Sequence, residues 1–228
     1  MKKVLITGAG RGIGFEIVKQ FLSTDDFFVI ALSRNISSLK EMESPQLKAI
    51  SFDLSSPSFS ELEKTLEDID TIDILINNAG LLINKSFEEL NQTDWQDSMD
   101  VNVFAPVKLI QACLPKLKKS VSAHVLNISS MGGYQGASKF PGLSAYSCSK
   151  AALACLTECL SEEYQSQSIA FNCLSLGAVN TDMLQQAFPG YKAPVDSLDM
   201  ADFIFYFSTQ GHRFMNGKNI PVSLHNPA

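Results

Sequence analysis

The sequence predicts an α/β fold: a doubly wound, seven-stranded parallel sheet with helices on both faces, in a single domain covering residues 1–228. Three observations predict it. Short apolar runs rich in β-branched residues recur along the chain, stretches between them carry apolar residues at helical spacing, and a glycine-rich turn follows the first run directly. Alternating strands and helices demand right-handed crossovers, which make successive strands parallel and open a ligand crevice beyond their carboxyl ends.

Taken in order, the seven runs are 4–6, 27–32, 47–52, 72–76, 125–128, 169–174 and 220–222. Their alternation is weak, as expected of strands buried on both faces. After the first run, Ile13, Ile17, Val18 and Phe21 recur every three to four residues, the spacing of one buried helix face. Phe59, Leu62, Leu66 and Ile69 repeat the pattern, and Trp95, Met99 and Val103 read as core on another helix. A further helix carries Ala151, Leu153, Leu156 and Leu160. Two irregular stretches stand out as candidate active-site loops: 131–144, rich in Gly and Ser, and 188–198, which holds Pro189 and Pro194.

Composition excludes several classes. Apolar residues at 45% and charged residues at 18% describe an ordinary packed globule. A net charge of -6, with no basic cluster beyond Lys116, Lys118 and Lys119, argues against a nucleic-acid partner. Only Val4, Leu5 and Ile6 follow the N-terminal lysines before Thr7 and Gly8 interrupt, so no secretory address is expected. No apolar run approaches the ~20 residues of a membrane span. The five cysteines are odd in number and lack a Cys-x-x-Cys pair, which points to a reducing, cytoplasmic setting without a disulfide framework. Cys148, Cys155 and Cys159 fall on one helix face and read as small buried hydrophobes. His124, His212 and His225 are scattered and read as core or surface residues rather than metal ligands.

The turn after the first run is Thr7-Gly8-Ala9-Gly10-Arg11-Gly12-Ile13-Gly14, leading straight into a helix. Glycines there let the backbone approach a pyrophosphate, whose charge meets free amides and the positive helix end. Gly8, Gly10, Arg11, Gly12, Ile13 and Gly14 are therefore candidate cofactor contacts, and a P-loop is excluded because no Gly-Lys-Ser/Thr follows. At the end of the second strand, Ser33-Arg34-Asn35 stands where an acid would hold the ribose of NAD. Arg34 and Arg11 suit a 2′-phosphate instead, so the expected cofactor is NADP(H). Asp53 and the adjoining Leu54 are candidate contacts at the end of the third strand; Asp53 reads equally well as an acceptor for the adenine amino group or as a helix cap. Asn78, Ala79 and Gly80 after the fourth strand suit both close packing on adenosine and an ordinary Asn-Gly turn.

Tyr146 and Lys150 lie four residues apart and share a helix face. A nearby cation favours phenolate, making Tyr146 a usable proton donor and acceptor near neutral pH. With the glycine turn, Asn77-Asn78-Ala79-Gly80, Asn102 and Ser129-Ser130, the set resembles the short-chain dehydrogenase/reductase family in identity, order and approximate spacing over nearly the whole chain. The resemblance implies a Rossmann fold and an oxidoreductase. It also implies that Tyr146 exchanges a proton with a carbonyl oxygen, Ser130 polarises it, Lys150 binds the nicotinamide ribose and lowers the Tyr146 pKa, and Asn102 orders a relay water. Ser129 is expected to be structural. Tyr134 and Phe140, in a longer loop than the family's, are expected to line the pocket.

The chain departs from the family at Leu176-Gly177-Ala178, where a proline usually precedes the glycine. Gly177, Val179 and Thr181 remain candidate contacts to the carboxamide, with less local stiffness. The last strand lacks the glycine pair that often follows it in the family, so a dimer through the two long central helices is expected over the family-like tetramer. The substrate is expected to be a small ketone, aldehyde or secondary alcohol. The alternative is a catalytically idle NADP(H)-binding protein that reports redox state to a partner.

Overall fold

The computed structural model describes residues 1–56 and 58–224. Each apolar run became a strand: β1 (Lys2–Thr7), β2 (Phe27–Ser33), β3 (Leu47–Ser51), β4 (Ile74–Asn77), β5 (Ala123–Ser130), β6 (Ile169–Leu176) and, last in the chain, β9 (Lys218–Val222). They form one sheet ordered β3-β2-β1-β4-β5-β6-β9, and every neighbouring pair is parallel. Winding reverses between β1 and β4, so the crevice predicted for ligands opens at the carboxyl ends of those strands. A small pair, β7 (Val179–Asn180) with β8 (Val195–Asp196), was not legible as strands.

Side chains on a strand alternate faces, and β1 shows the consequence. Val4 and Ile6 join a core under α1 (Gly12–Leu22) and α8 (Ser197–Gln210), while Leu5 joins the opposite core under α5 (Ala105–Leu117). Helix α1 buries Ile17, Val18 and Phe21 as its spacing predicts. The Phe21 ring meets Phe27 and Phe205 edge-on, each at 4.8 Å between centroids. Truncation to alanine there is expected to cost ~3–5 kcal/mol.

The second pattern is buried throughout, yet its helix, α3 (Ser60–Thr65), is short: Phe59 precedes it and Leu66 and Ile69 follow it. Helix α4 (Gln92–Met99) starts at a reciprocal cap, with the Asp94 amide donating to Asn91 Oδ1 and the Asn91 amide to Asp94 Oδ2, both at 3.0 Å. Of its expected core face only Val103 is buried; Trp95 and Met99 are half-buried. Between α4 and α5 the backbone makes a π-helical turn, Asp100–Phe104.

The cysteine expectation was wrong. Helix α6 (Ser144–Glu163) buries Tyr146, Ser149, Lys150, Leu153 and Thr157, which leaves Cys148, Cys155 and Cys159 exposed on its opposite face, together with Ala151. Seven- and four-residue spacing identifies one face but not which face is covered. His124 is a core residue: its Nδ1 lies 2.9 Å from the Ser208 carbonyl oxygen and Nε2 lies 3.1 Å from the Asn172 amide nitrogen. Burial holds its pKa down to about 4, so the ring is neutral. His225 lies outside the described residues. Among the described residues no His/Cys/Asp/Glu group could hold a metal ion, and no helix is long and apolar enough to cross a membrane.

Candidate active site

The glycine turn lies at the floor of a cleft of about 670 Å³ at the carboxyl ends of the strands. Gly8 and Gly12 have φ of +66° and +56°, the left-handed region that favours glycine. A Cβ at Gly8 would come within 2.8 Å of Ala79 Cα, and one at Gly14 within 2.6 Å of Asn78 Nδ2. Thr7 Oγ1 accepts from the amides of Asn78 and Ala79 at 3.0 Å, which ties the ends of β1 and β4 together. No side chain caps α1 and no acid occupies its first turn, so its leading amides and positive dipole end are left for an anion. These residues fit a dinucleotide pyrophosphate. Gly10 differs from expectation: it does not line the cleft but packs on the end of β2, where a Cβ would lie 2.5 Å from Ser33 Oγ.

Ser33, Arg34, Asp53 and Leu54 line the cleft beside the turn. Asp53 accepts from the Ser55 amide at 3.0 Å and the Ser55 hydroxyl at 2.8 Å, and those bonds, with Arg34 nearby, hold its carboxyl below the usual range. It shapes a turn rather than capping a helix, since α3 begins only at Ser60. Arg11 lies 4.0 Å from Asp182 with both side chains exposed, a weak pair that leaves the guanidinium available.

Ser130 ends β5, and α6 brings Tyr146 to the same stretch of the cleft. The Gly132 amide donates to Ser130 Oγ at 3.1 Å. Burial pushes the Tyr146 phenol above its ordinary value, and the nearby Ser130 hydroxyl partly offsets this. The lowering expected from Lys150 does not prevail, because the ammonium is 5.8 Å from the Tyr146 ring centroid and donates to the Ile128 carbonyl at 2.8 Å. Burial lowers Lys150 itself to about 8. Ser129 also reaches the cleft and donates to the Lys150 carbonyl at 2.8 Å.

Asn102 is fully buried and does not line the cleft, so its amide is not positioned to hold a water there. Oδ1 accepts from the Leu81 amide at 2.8 Å, and Nδ2 donates to the Leu81 carbonyl and Ser149 Oγ, both at 2.9 Å. The hydrogen-bonding capacity of that side chain is largely spent on the loop after β4 and on α6. A Cβ at Gly80 would lie 3.3 Å from Lys150 Nζ and 3.4 Å from Asn102 Oδ1, so glycine lets this loop sit against both.

On the other side, both irregular stretches reach the cleft. Met131, Phe140 and Leu143 line it from the first; Tyr134 does not. The region after Thr181 holds a helix, α7 (Asp182–Ala187), whose N-cap Thr181 accepts from the Leu184 amide at 3.2 Å. Thr181, Val179 and Gly177 all line the cleft. In place of the missing proline, the Gly177 amide donates to the Val222 carbonyl at 2.8 Å and anchors the turn to β9. Asn84, which the sequence offered no reason to single out, donates to the Ala187 carbonyl at 2.8 Å. The neighbouring Lys85 amide donates to Gly142 at 3.0 Å, so one short segment joins both walls.

The sequence model of the short chain dehydrogenase family matches residues 2–192. An uncharacterized oxidoreductase of Staphylococcus epidermidis is 28% identical over 214 residues, 92% of this chain and 91% of its own length. A 3-oxoacyl-[acyl-carrier-protein] reductase of Chlamydia muridarum is 28% identical over 190 residues, 80% of this chain and 75% of its own. Among solved structures, 4-hydroxyisoleucine dehydrogenase complexed with NADH superposes with a TM-score of 0.85 at 28% identity, covering 98% of this chain and 97% of that one. A short chain dehydrogenase from Escherichia coli complexed with NADPH also gives 0.85 at 28% identity, covering 96% and 95%. A family match over most of the chain, on a seven-stranded parallel sheet whose reversal point opens this cleft, makes the protein an oxidoreductase of the short-chain dehydrogenase family.

Proposed function

We propose that this enzyme transfers hydride between NADP(H) and a ketone, aldehyde or secondary alcohol. The observation that carries the reading is the convergence of Ser130, Tyr146 and a buried Lys150 in the same cleft as an uncapped glycine turn. The cofactor-bound relatives are consistent with a nicotinamide cofactor. For its pyrophosphate the candidates are Gly8, Gly12, Ile13 and Gly14, and Arg11 and Arg34 supply the charge a 2′-phosphate needs. Asp53, Leu54 and Asn78 to Gly80 would flank its adenosine, and Val179 and Thr181 its carboxamide. Bound NADPH supplies the hydride, and NADP+ accepts it in reverse.

Tyr146 donates its proton to the carbonyl oxygen while Ser130 donates a hydrogen bond to the same atom, so charge building there meets two donors in a water-poor cleft. A phenol held above its ordinary pKa by burial is protonated at neutral pH, as reduction requires. Lys150 would hold the nicotinamide ribose, and as a cation 5.8 Å from the Tyr146 ring centroid it would favour the anion that proton donation leaves behind. Asn102 serves this chemistry through others: its buried amide ties the loop after β4 to α6, which carries Tyr146 and Lys150. The catalytic unit is one domain, active as a homodimer through α5 and α6 in the reducing cytoplasm that five unpaired cysteines suit.

Loss of NADPH absorbance with a panel of carbonyl compounds tests the reading. Tyr146→Phe should lower kcat by about 10³-fold with the fold intact. An unchanged rate would remove Tyr146 as the proton donor. Tight NADPH binding without turnover of any carbonyl would favour the idle redox-reporting alternative.

A further inference from the structure

We propose that the substrate half of the cleft selects neutral, predominantly apolar carbonyl compounds and rejects those carrying a carboxylate, an inference that rests on the reductase reading. Beyond Tyr146 the walls are Met131, Phe140 and Leu143 from one loop, and Leu184, Phe188 and Tyr191 from α7 and the segment after it. Phe140 and Tyr191 are 49% and 50% exposed, large aromatic surfaces left open beside the reacting centre. Their segments are joined through Asn84 and Lys85, bonded to Ala187 and Gly142, so the two aromatics are carried on walls that are tied to each other. An apolar ligand covers that surface; a small polar one leaves it wet.

The charges decide against acids. Among the described residues lining the cleft, the cations are Arg11, Arg34 and Lys150. The arginines belong to the glycine turn and the end of β2, and Lys150 is committed to Ile128 and the cofactor ribose. The charge closest in sequence to the apolar wall of α7 is Asp182 at its first position; with Arg11 only 4.0 Å from it, the pair is close to neutral and gives a carboxylate no net attraction. Lys139 and Lys192 adjoin Phe140 and Tyr191 in the chain but do not line the cleft, and Lys139 donates to the Tyr134 carbonyl at 2.6 Å, so a carboxylate entering that wall would lose water with no lining cation to replace it.

para-Methylacetophenone and para-acetylbenzoate present the same ketone on the same ring, with a methyl in one where the other has a carboxylate. Equilibrium binding of each to the NADP+-loaded protein, and kcat/KM of each with NADPH, should favour the methyl compound by about tenfold or more, the worth of ~1.4 kcal/mol. Tyr191→Lys, on an exposed position, should narrow that gap by giving the carboxylate a partner; Met183→Lys repeats the test from α7. Equal or tighter binding of para-acetylbenzoate to the wild type, or binding of neither compound, overturns the inference. Selective binding of the methyl compound with no turnover of it or of any other carbonyl in the panel supports it and instead removes the reductase reading.

Discussion

Replacing Lys150 by methionine should stabilise the protein while disabling it. Lys150 is 3% exposed, its ammonium donates to a single carbonyl at 2.8 Å, and burial lowers its pKa from 10.5 to about 8. At 1.36 kcal/mol per unit, keeping that charge buried at neutral pH costs ~3 kcal/mol. Methionine preserves the length of the stem and removes the charge, but it leaves the Ile128 carbonyl without this donor, which costs ~1 kcal/mol. The net gain is ~2 kcal/mol, or about 4–8 °C in Tm for a chain of this size. The folded pKa is below the unfolded one, so the burden is present where the ammonium is charged and is lifted as pH rises from about 8 toward 10.5. The gap in stability between variant and wild type should therefore roughly halve by about pH 9 and be almost gone by about pH 9.5 to 10. Thermal unfolding followed by circular dichroism at neutral and alkaline pH measures this, and kcat/KM should fall by about 10²–10⁴-fold. A lower Tm in Lys150→Met, or a gap that does not narrow with pH, would refute the reasoning.

Arg34→Ala should weaken NADPH by roughly 10–100-fold through loss of charge-assisted hydrogen bonds while leaving NADH within about twofold; equal losses in titrations of both would count against a 2′-phosphate site. His124 is buried neutral with its pKa held at about 4, so stability is present above its unfolded value of 6.5 and is lost as pH falls toward 4. Between about pH 7 and pH 5 this amounts to ~2 kcal/mol, measurable by urea unfolding, and His124→Gln should lack that share of the acid sensitivity. Asn84→Ala removes the bond to Ala187 on an exposed segment. KM for para-methylacetophenone should rise by about three- to tenfold with kcat little changed, whereas a fall in kcat alone would show that Asn84 acts on chemistry and not on the walls of the pocket.

Much of the fold was written locally. Strands buried on both faces must be apolar and favour β-branched side chains, so the five inner strands announced themselves as runs such as Val4–Leu5–Ile6, and the half-buried edge strands β3 and β9 carried such runs as well. The glycine turn was legible because positive φ at Gly8 and Gly12 requires that residue, and the Tyr146–Lys150 pair because i and i+4 share a face whatever the helix packs against. Tertiary structure decided the rest. Cys155 and Lys150 lie on one helix, and only the packing of α6 on the sheet made the first exposed and the second a buried cation of lowered pKa. Only the packing shows that Leu81 and Ser149 take up the Asn102 amide, and that α7 meets Asn84 across the chain. Periodicity reports the direction a side chain takes from its own backbone. Which direction is covered, desolvated or hydrogen-bonded depends on segments tens of residues away, and no local pattern encodes that.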